Sequence, residues 1–93
     1  MYALFGESEI DTSRAEEAEA MLKNGLAPQL KQVPGFVSAT WGMSADGSRG
    51  RSFIVFSSEE AARAAKENVA DRMPADAPVK IVSITPMEII HQA

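Results

Sequence analysis

The sequence has no cysteine, one histidine, one tryptophan and one tyrosine among its 93 residues, and each shortage excludes something. Without cysteine there is no disulfide, thiolate nucleophile or thiolate metal ligand. With His91 as the sole imidazole, a structural zinc site built from protein ligands alone has too few donors, and no metal or cofactor is expected. Uninterrupted apolar runs last only a few residues, against the roughly 20 that a membrane-spanning helix needs, so no membrane partner is expected. An excess of positive charge is missing too. Nine Lys and Arg stand against thirteen Asp and Glu, a net charge of −4. The basic residues are scattered, which argues against a nucleic-acid partner. No basic-then-apolar leader opens the chain, and the expected location is the cytoplasm.

The length fits a single domain over residues 1–93. A chain of this size buries only about 60–65% of the surface of its unfolded form, so small domains lean on disulfides, metals or oligomerisation. With the first two removed, oligomerisation is the remaining support.

The apolar run Tyr2-Ala-Leu-Phe5 ended by Gly6 predicts a first strand. Ser13 and Glu16 have the spacing of a capping box. Behind them Ala18, Leu22, Leu26, Leu30 and Val33 mark one side of an amphipathic helix. Gly25 and Pro28 predict a kink or restart, because Pro28 cannot donate to Asn24. Pro34-Gly35 ends the helix. Phe36 to Met43 alternates as a second strand, with Val37, Ala39, Trp41 and Met43 on one face and Phe36, Ser38 and Thr40 on the other. Asp46-Gly47 predicts a hairpin loop, and Ser52 to Phe56 a third strand. Ser57 and Glu60 repeat the capping-box spacing ahead of an alanine-rich helix whose apolar side is Ala61, Ala62, Ala65 and Val69. Met73-Pro74 and Ala77-Pro78 mark a loop, and Val79 to Ile84 is a fourth strand that Pro86 stops or bends. The tail Met87 to Ala93 is expected at most as an edge segment.

The order β-α-β-β-α-β, with right-handed crossovers, gives an α+β, ferredoxin-like fold: a four-stranded antiparallel sheet with both helices on one face. The strands are apolar on both faces, which a sheet with one wet face avoids. Half a dozen large side chains on the uncovered face exceed the few hundred Å² of apolar patch that soluble monomers usually carry. A homodimer closed through that sheet face is therefore expected.

Pro34-Gly35-Phe36, the alternating strand after it, and Phe56-Ser-Ser-Glu-Glu-Ala61 resemble the dimeric α/β-barrel superfamily, in particular its antibiotic-biosynthesis-monooxygenase-like domains. The resemblance spans nearly the whole chain, and its motifs mark topology rather than chemistry. It implies either a cofactor-independent monooxygenase acting on an aromatic or polyphenolic small molecule, or a non-catalytic small-ligand-binding or stress-related dimer. The haem-degrading type is similar in carrying Asn at the end of the first strand, Trp ending the third and His on the second helix. This chain has Gly6-Glu7, Phe56 and Lys66-Glu67 in those regions, so the resemblance does not extend to haem degradation.

Few side chains suggest chemistry. His91 is the one group with an unperturbed pKa near neutrality and hence the candidate imidazole base, although a position three residues from the end also suits a solvated side chain. Trp41, Phe56, Met21 and Leu22 are candidates for the wall of a hydrophobic or aromatic ligand pocket, and equally for packing. Tyr2 offers a phenol to a ligand oxygen or a wet cap to the sheet. Arg49 and Arg51 beside the hairpin lack the helix N-terminus or glycine-rich turn of an anion site and read as turn solubility. Glu7, Glu9 and Asp11 read as solvated carboxylates in a surface connection rather than as metal ligands. No G-x-S-x-G spacing supports an acyl-transfer nucleophile.

Overall fold

A computed structural model describes residues 1–72 and 74–93, with residues 69–72 described in backbone only. Two parts of the reading above, the Val69 side chain and Met73, fall outside the described residues. Four strands, β1 (Tyr2–Ile10), β2 (Phe36–Met43), β3 (Arg49–Phe56) and β4 (Val79–Glu88), form one antiparallel sheet in the order β2-β3-β1-β4. An interrupted helical arm links β1 to β2, and one helix, α3 (Glu59–Arg72), links β3 to β4. This is the expected ferredoxin-like order.

The helical arm shows how the sequence handles a stripe with the wrong period. Ala18, Leu22, Leu26 and Leu30 recur every four residues, and on a straight helix of 3.6 residues per turn such a stripe drifts sideways. The chain runs as α1 (Ala15–Met21), a π-helical turn (Leu22–Leu26) and α2 (Ala27–Lys31). The wider π turn absorbs the surplus and keeps the stripe toward the sheet. Pro28 sits in the first turn of α2, where its missing donor does least harm. The interruption begins at Leu22, earlier than expected, and takes in Gly25, while the restart at Ala27 falls within the expected Gly25–Pro28 stretch.

The start signals differ from the expected pairs. Asp11, rather than Ser13, accepts the free donor: Ser13 N lies 3.0 Å from Asp11 Oδ1, and a 3-10 turn over Thr12–Arg14 leads into α1. At α3 the hydroxyl of Ser58, rather than Ser57, accepts from Ala61 N at 3.2 Å. Serine and aspartate cap about equally well, so neighbouring candidates compete and the chain path chooses.

β1 does not stop at Gly6 but runs on to Ile10, with Gly6 opposite Ser52. β3 likewise starts at Arg49, earlier than expected. β4 continues through Pro86, which stands opposite Leu4. As β4 lies at the sheet edge, proline's missing donor need not break the ladder. The register of β2 shifts between Phe36 and Ser38, which makes Val37 a bulge residue. The bulge corrects the expected face assignment. Phe36 joins Ala39 and Trp41 against the core, while Val37 is exposed.

Leu4, Leu30, Ile54, Phe56, Ala62 and Ala65 form the core between sheet and helices. Phe56 is fully buried and meets Phe36 edge-on, ring centroids 6.3 Å apart. Alanines at 62 and 65 let α3 lie close over this end of the sheet. Gly35 makes the junction possible: its φ is +88°, and its carbonyl accepts from Ser57 N at 2.8 Å.

The face away from the helices is divided. At one end stand Ala3, Phe5, Phe53, Val55 and Met87, placed there by strand alternation. At the other, Glu7 pairs with Arg51 and Glu9 with Arg49, each at 3.6 Å. These charges were expected in a surface connection and a turn; both sets lie on strands. They face one another because Glu7↔Arg51 and Glu9↔Arg49 are register partners.

Candidate functional site

The close-packed core gathers under α3 and the C-terminal part of the helical arm. Toward the other end, the helical arm stands over Gly6, Ser8, Gly50 and Ser52, residues too small to fill the space beneath it. A cavity of about 500 Å³ results. Its sheet wall adds Ile54, Ile81 and Ile84, β2 contributes Trp41 and Met43, and the helical arm supplies Ala18, Met21, Leu22 and Leu26. The size and largely apolar wall suit a small flat molecule.

The floor has an internal pattern. Gly6-Glu7-Ser8 on β1 and Gly50-Arg51-Ser52 on β3 run antiparallel, so that Gly6 faces Ser52, Glu7 faces Arg51 and Ser8 faces Gly50. Alternation turns the side chains of the charged pair toward the outer face and the glycines and serines toward the cavity, which Glu7 and Arg51 still border. A Cβ at Gly6 would lie 2.3 Å from Ser52 Oγ, and one at Gly50 would lie 2.6 Å from Ser8 Oγ. Each hydroxyl therefore occupies the space that the opposing glycine leaves open. The signal was present in the sequence as two Gly-charged-Ser triplets, but only pairing makes them one floor.

On the helical side, Glu16, Glu19 and Lys23 are part of the lining. Lys23 Nζ lies 2.7 Å from Glu19 Oε1, and this bond holds the Glu19 carboxyl below its usual range. Glu16 belongs to no ion pair among the described residues.

The pocket candidates from the sequence divide accordingly. Trp41, Met21 and Leu22 line the cavity, and Trp41 stands opposite Ser52. Phe56 does not line it, being sealed in the core. Tyr2 packs against the same core, beside Glu59, whose carboxylate holds the phenol above its ordinary value. His91 follows β4 in an exposed tail and contributes nothing to the cavity wall. Glu7, Glu9 and Asp11 do not converge, and no cluster of metal-binding side chains occurs among the described residues. No described helix is long and apolar enough to cross a membrane.

No protein-family model matches the chain, and no curated protein matches it in sequence. Solved structures do match it in fold. HapK from Hahella chejuensis superimposes with a TM-score of 0.72 at 13% identity, over 100% of this chain and 96% of its own. A protein from Nitrosomonas europaea assigned as an antibiotic biosynthesis monooxygenase gives 0.66 at 22%, covering 98% and 100%. The monooxygenase ActVA-Orf6 of Streptomyces coelicolor, solved with nanaomycin D, gives 0.57 at 23%, covering 99% and 92%. From end to end, the chain has the ferredoxin-like fold of the antibiotic-biosynthesis-monooxygenase-like proteins.

Proposed function

We propose that this protein is a cofactor-independent monooxygenase for an aromatic or polyphenolic small molecule, working as a homodimer. The observation that carries the reading is the cavity of about 500 Å³ between sheet and helical arm, with an apolar wall and few polar groups. Such a site asks little of the protein beyond shape, exclusion of water and hydrogen-bond donors. The reaction takes an activated methylene flanked by aromatic rings. Loss of a proton gives a resonance-stabilised anion, which reduces O₂ and combines with it to form a peroxide. Loss of water then leaves a carbonyl, so one oxygen atom enters the product and the other leaves as H₂O. Glu16, in the wall and outside any ion pair among the described residues, is the carboxylate placed to receive the proton.

The same fold in monooxygenase neighbours supports the reading. The dimer is supported by the apolar half of the outer sheet face, where Phe5 and Phe53 are partly exposed and Met87 is exposed. Sedimentation at micromolar concentration is expected to give about twice the 10.0 kDa of the chain, and Phe53→Glu to shift it toward the monomer. A monomeric wild type removes the dimer.

Aerobic incubation with anthrone, followed by an oxygen electrode, tests the chemistry. One O₂ consumed per quinone formed is expected, with a large loss in Trp41→Ala. Uptake no faster than in buffer, with binding retained, identifies a non-catalytic ligand-binding protein instead.

A further inference from the structure

The face of the sheet away from the helices is laid out in rows, because antiparallel register sets residues of neighbouring strands side by side. On the two central strands, β3 and β1, a row with Phe53 beside Phe5 is followed by Arg51 beside Glu7 and then Arg49 beside Glu9, toward the hairpin that joins β2 to β3. Both acids stand on β1 and both bases on β3, so each charged row changes sign at the midline of the sheet. The outer strands add little here. Gly42 of β2 and Ser83 of β4 flank the first charged row, and Lys80, the register partner of Glu9, is exposed on the edge strand.

Sheets packed face to face lie about 10 Å apart with their strands nearly aligned. A closed pair therefore has two choices of two-fold axis in the plane between them. An axis across the strands turns the partner end for end. It lays the charged rows on phenylalanines, where desolvation of a charge is costly, or slips the sheets until only their apolar ends overlap. An axis along the strands keeps every row at its own height and exchanges left for right. Set between β1 and β3, it brings Phe53 onto the partner's Phe5, Arg51 onto the partner's Glu7 and Arg49 onto the partner's Glu9.

We propose that a second copy of this chain docks on this face with the two-fold axis along the strands, and that Glu7, Glu9, Arg49 and Arg51 form the self-complementary charge block that selects this orientation. The proposal rests on the reading of the protein as a homodimer. The block stands at the hairpin end of the face and keeps contact with water, so it sets orientation and register rather than adding much affinity.

Charge reversal separates the two orientations. Arg49→Glu with Arg51→Glu makes the block wholly acidic, and Glu7→Arg with Glu9→Arg makes it wholly basic. Each double variant alone should dimerise at least about tenfold more weakly than wild type, and the two mixed should form a heterodimer. All four substitutions in one chain keep the block self-complementary, within the subunit and across the interface, so that protein should dimerise as wild type does. Mixed with wild type, it sets base against base and acid against acid. Native mass spectrometry of the equilibrated mixture, with one protein ¹⁵N-labelled, should show heterodimers well below the half that free exchange gives, and added salt should restore them. Circular dichroism checks that each variant is folded. A second measurement leaves the block untouched. The chain has no cysteine, so Ala45→Cys, exposed in the hairpin loop, takes one spin label per subunit. The orientation along the strands puts both hairpins at one end of the dimer, with the labels closer together than the length of the eight-residue β3, roughly 27 Å. Heterodimers at the level of free exchange, or labels farther apart than that strand, refute the orientation and leave the dimer standing. A monomeric wild type overturns both.

Discussion

Replacing Gly35 by alanine asks two separate things of the chain. Its φ of +88° lies where L-residues with a Cβ are strained, at about 1–2 kcal/mol. The new methyl would also stand 2.8 Å from Ala61 Cβ, well inside the contact distance of two carbons, roughly 3.5–4.0 Å. Relief requires α3 to back away from the sheet, an overpacking cost of about 1–3 kcal/mol. Together these give about 2–5 kcal/mol from a domain whose whole stability is about 5–15 kcal/mol. At about 4–8 °C per kcal/mol for a domain of this size, the melting temperature should fall by at least about 8 °C. The assay is thermal unfolding by far-UV circular dichroism, with Gly25→Ala as the control. That position has nothing within 4 Å of its ideal Cβ, so the control should be neutral or stabilising by up to about 1 kcal/mol. Combining Gly35→Ala with Ala61→Gly should recover the steric share and leave the backbone share, giving a coupling of about 1–3 kcal/mol. A Gly35→Ala protein melting within two degrees of wild type, a margin of less than about 0.5 kcal/mol, would refute both the junction geometry and its part in setting β2 under the helices.

Other consequences are simpler to state. Phe56→Ala should cost about 3–5 kcal/mol in urea unfolding, since the ring is fully buried and edge-on to Phe36; a loss below 1.5 kcal/mol, about half that range, would mean that this end of the core is not close-packed. The Asp46 carboxylate accepts from the Ser48 N–H and from the Ser44 and Ser48 hydroxyls, which lowers its pKa from 3.8 to about 2. Its contribution is therefore complete above the unfolded value and disappears as the pH falls toward 2. Protection of the hairpin amides, taken relative to the unstructured exchange rate at each pH, should fall over that window, and Asp46→Asn should flatten the change. The exposed pairs Glu7–Arg51 and Glu9–Arg49, at 3.6 Å, should be worth less than about 1 kcal/mol each by double-mutant cycle; a larger coupling would indicate that this face is covered in solution.

Local chemistry accounts for the parts of the molecule that were legible beforehand. Proline and glycine placed the break in the helical arm and its end, because a missing donor acts wherever the residue goes. Apolar spacing identified the helices and four strands. Trp41, Met21 and Leu22 were recognisable as wall candidates because large apolar side chains on a core-facing stripe must meet something. Phe56 belonged to the same class but fell under close-packed alanines, a difference its own sequence neighbourhood does not contain.

By itself, then, the sequence determined the order of elements, the absence of thiol chemistry, and an interrupted helix over a two-faced sheet. These follow from backbone restraints and side-chain periodicity, which operate within a few residues. Tertiary structure alone decided that β1 runs past Gly6, that a bulge at Val37 turns Phe36 inward, and that glutamates and arginines from distant stretches meet in pairs. It also decided where the hollow lies. Gly6-Glu7-Ser8 and Gly50-Arg51-Ser52 become a cavity floor only when the register sets them side by side beneath the helical arm. A void is a property of what several segments together fail to fill, and no single segment encodes it.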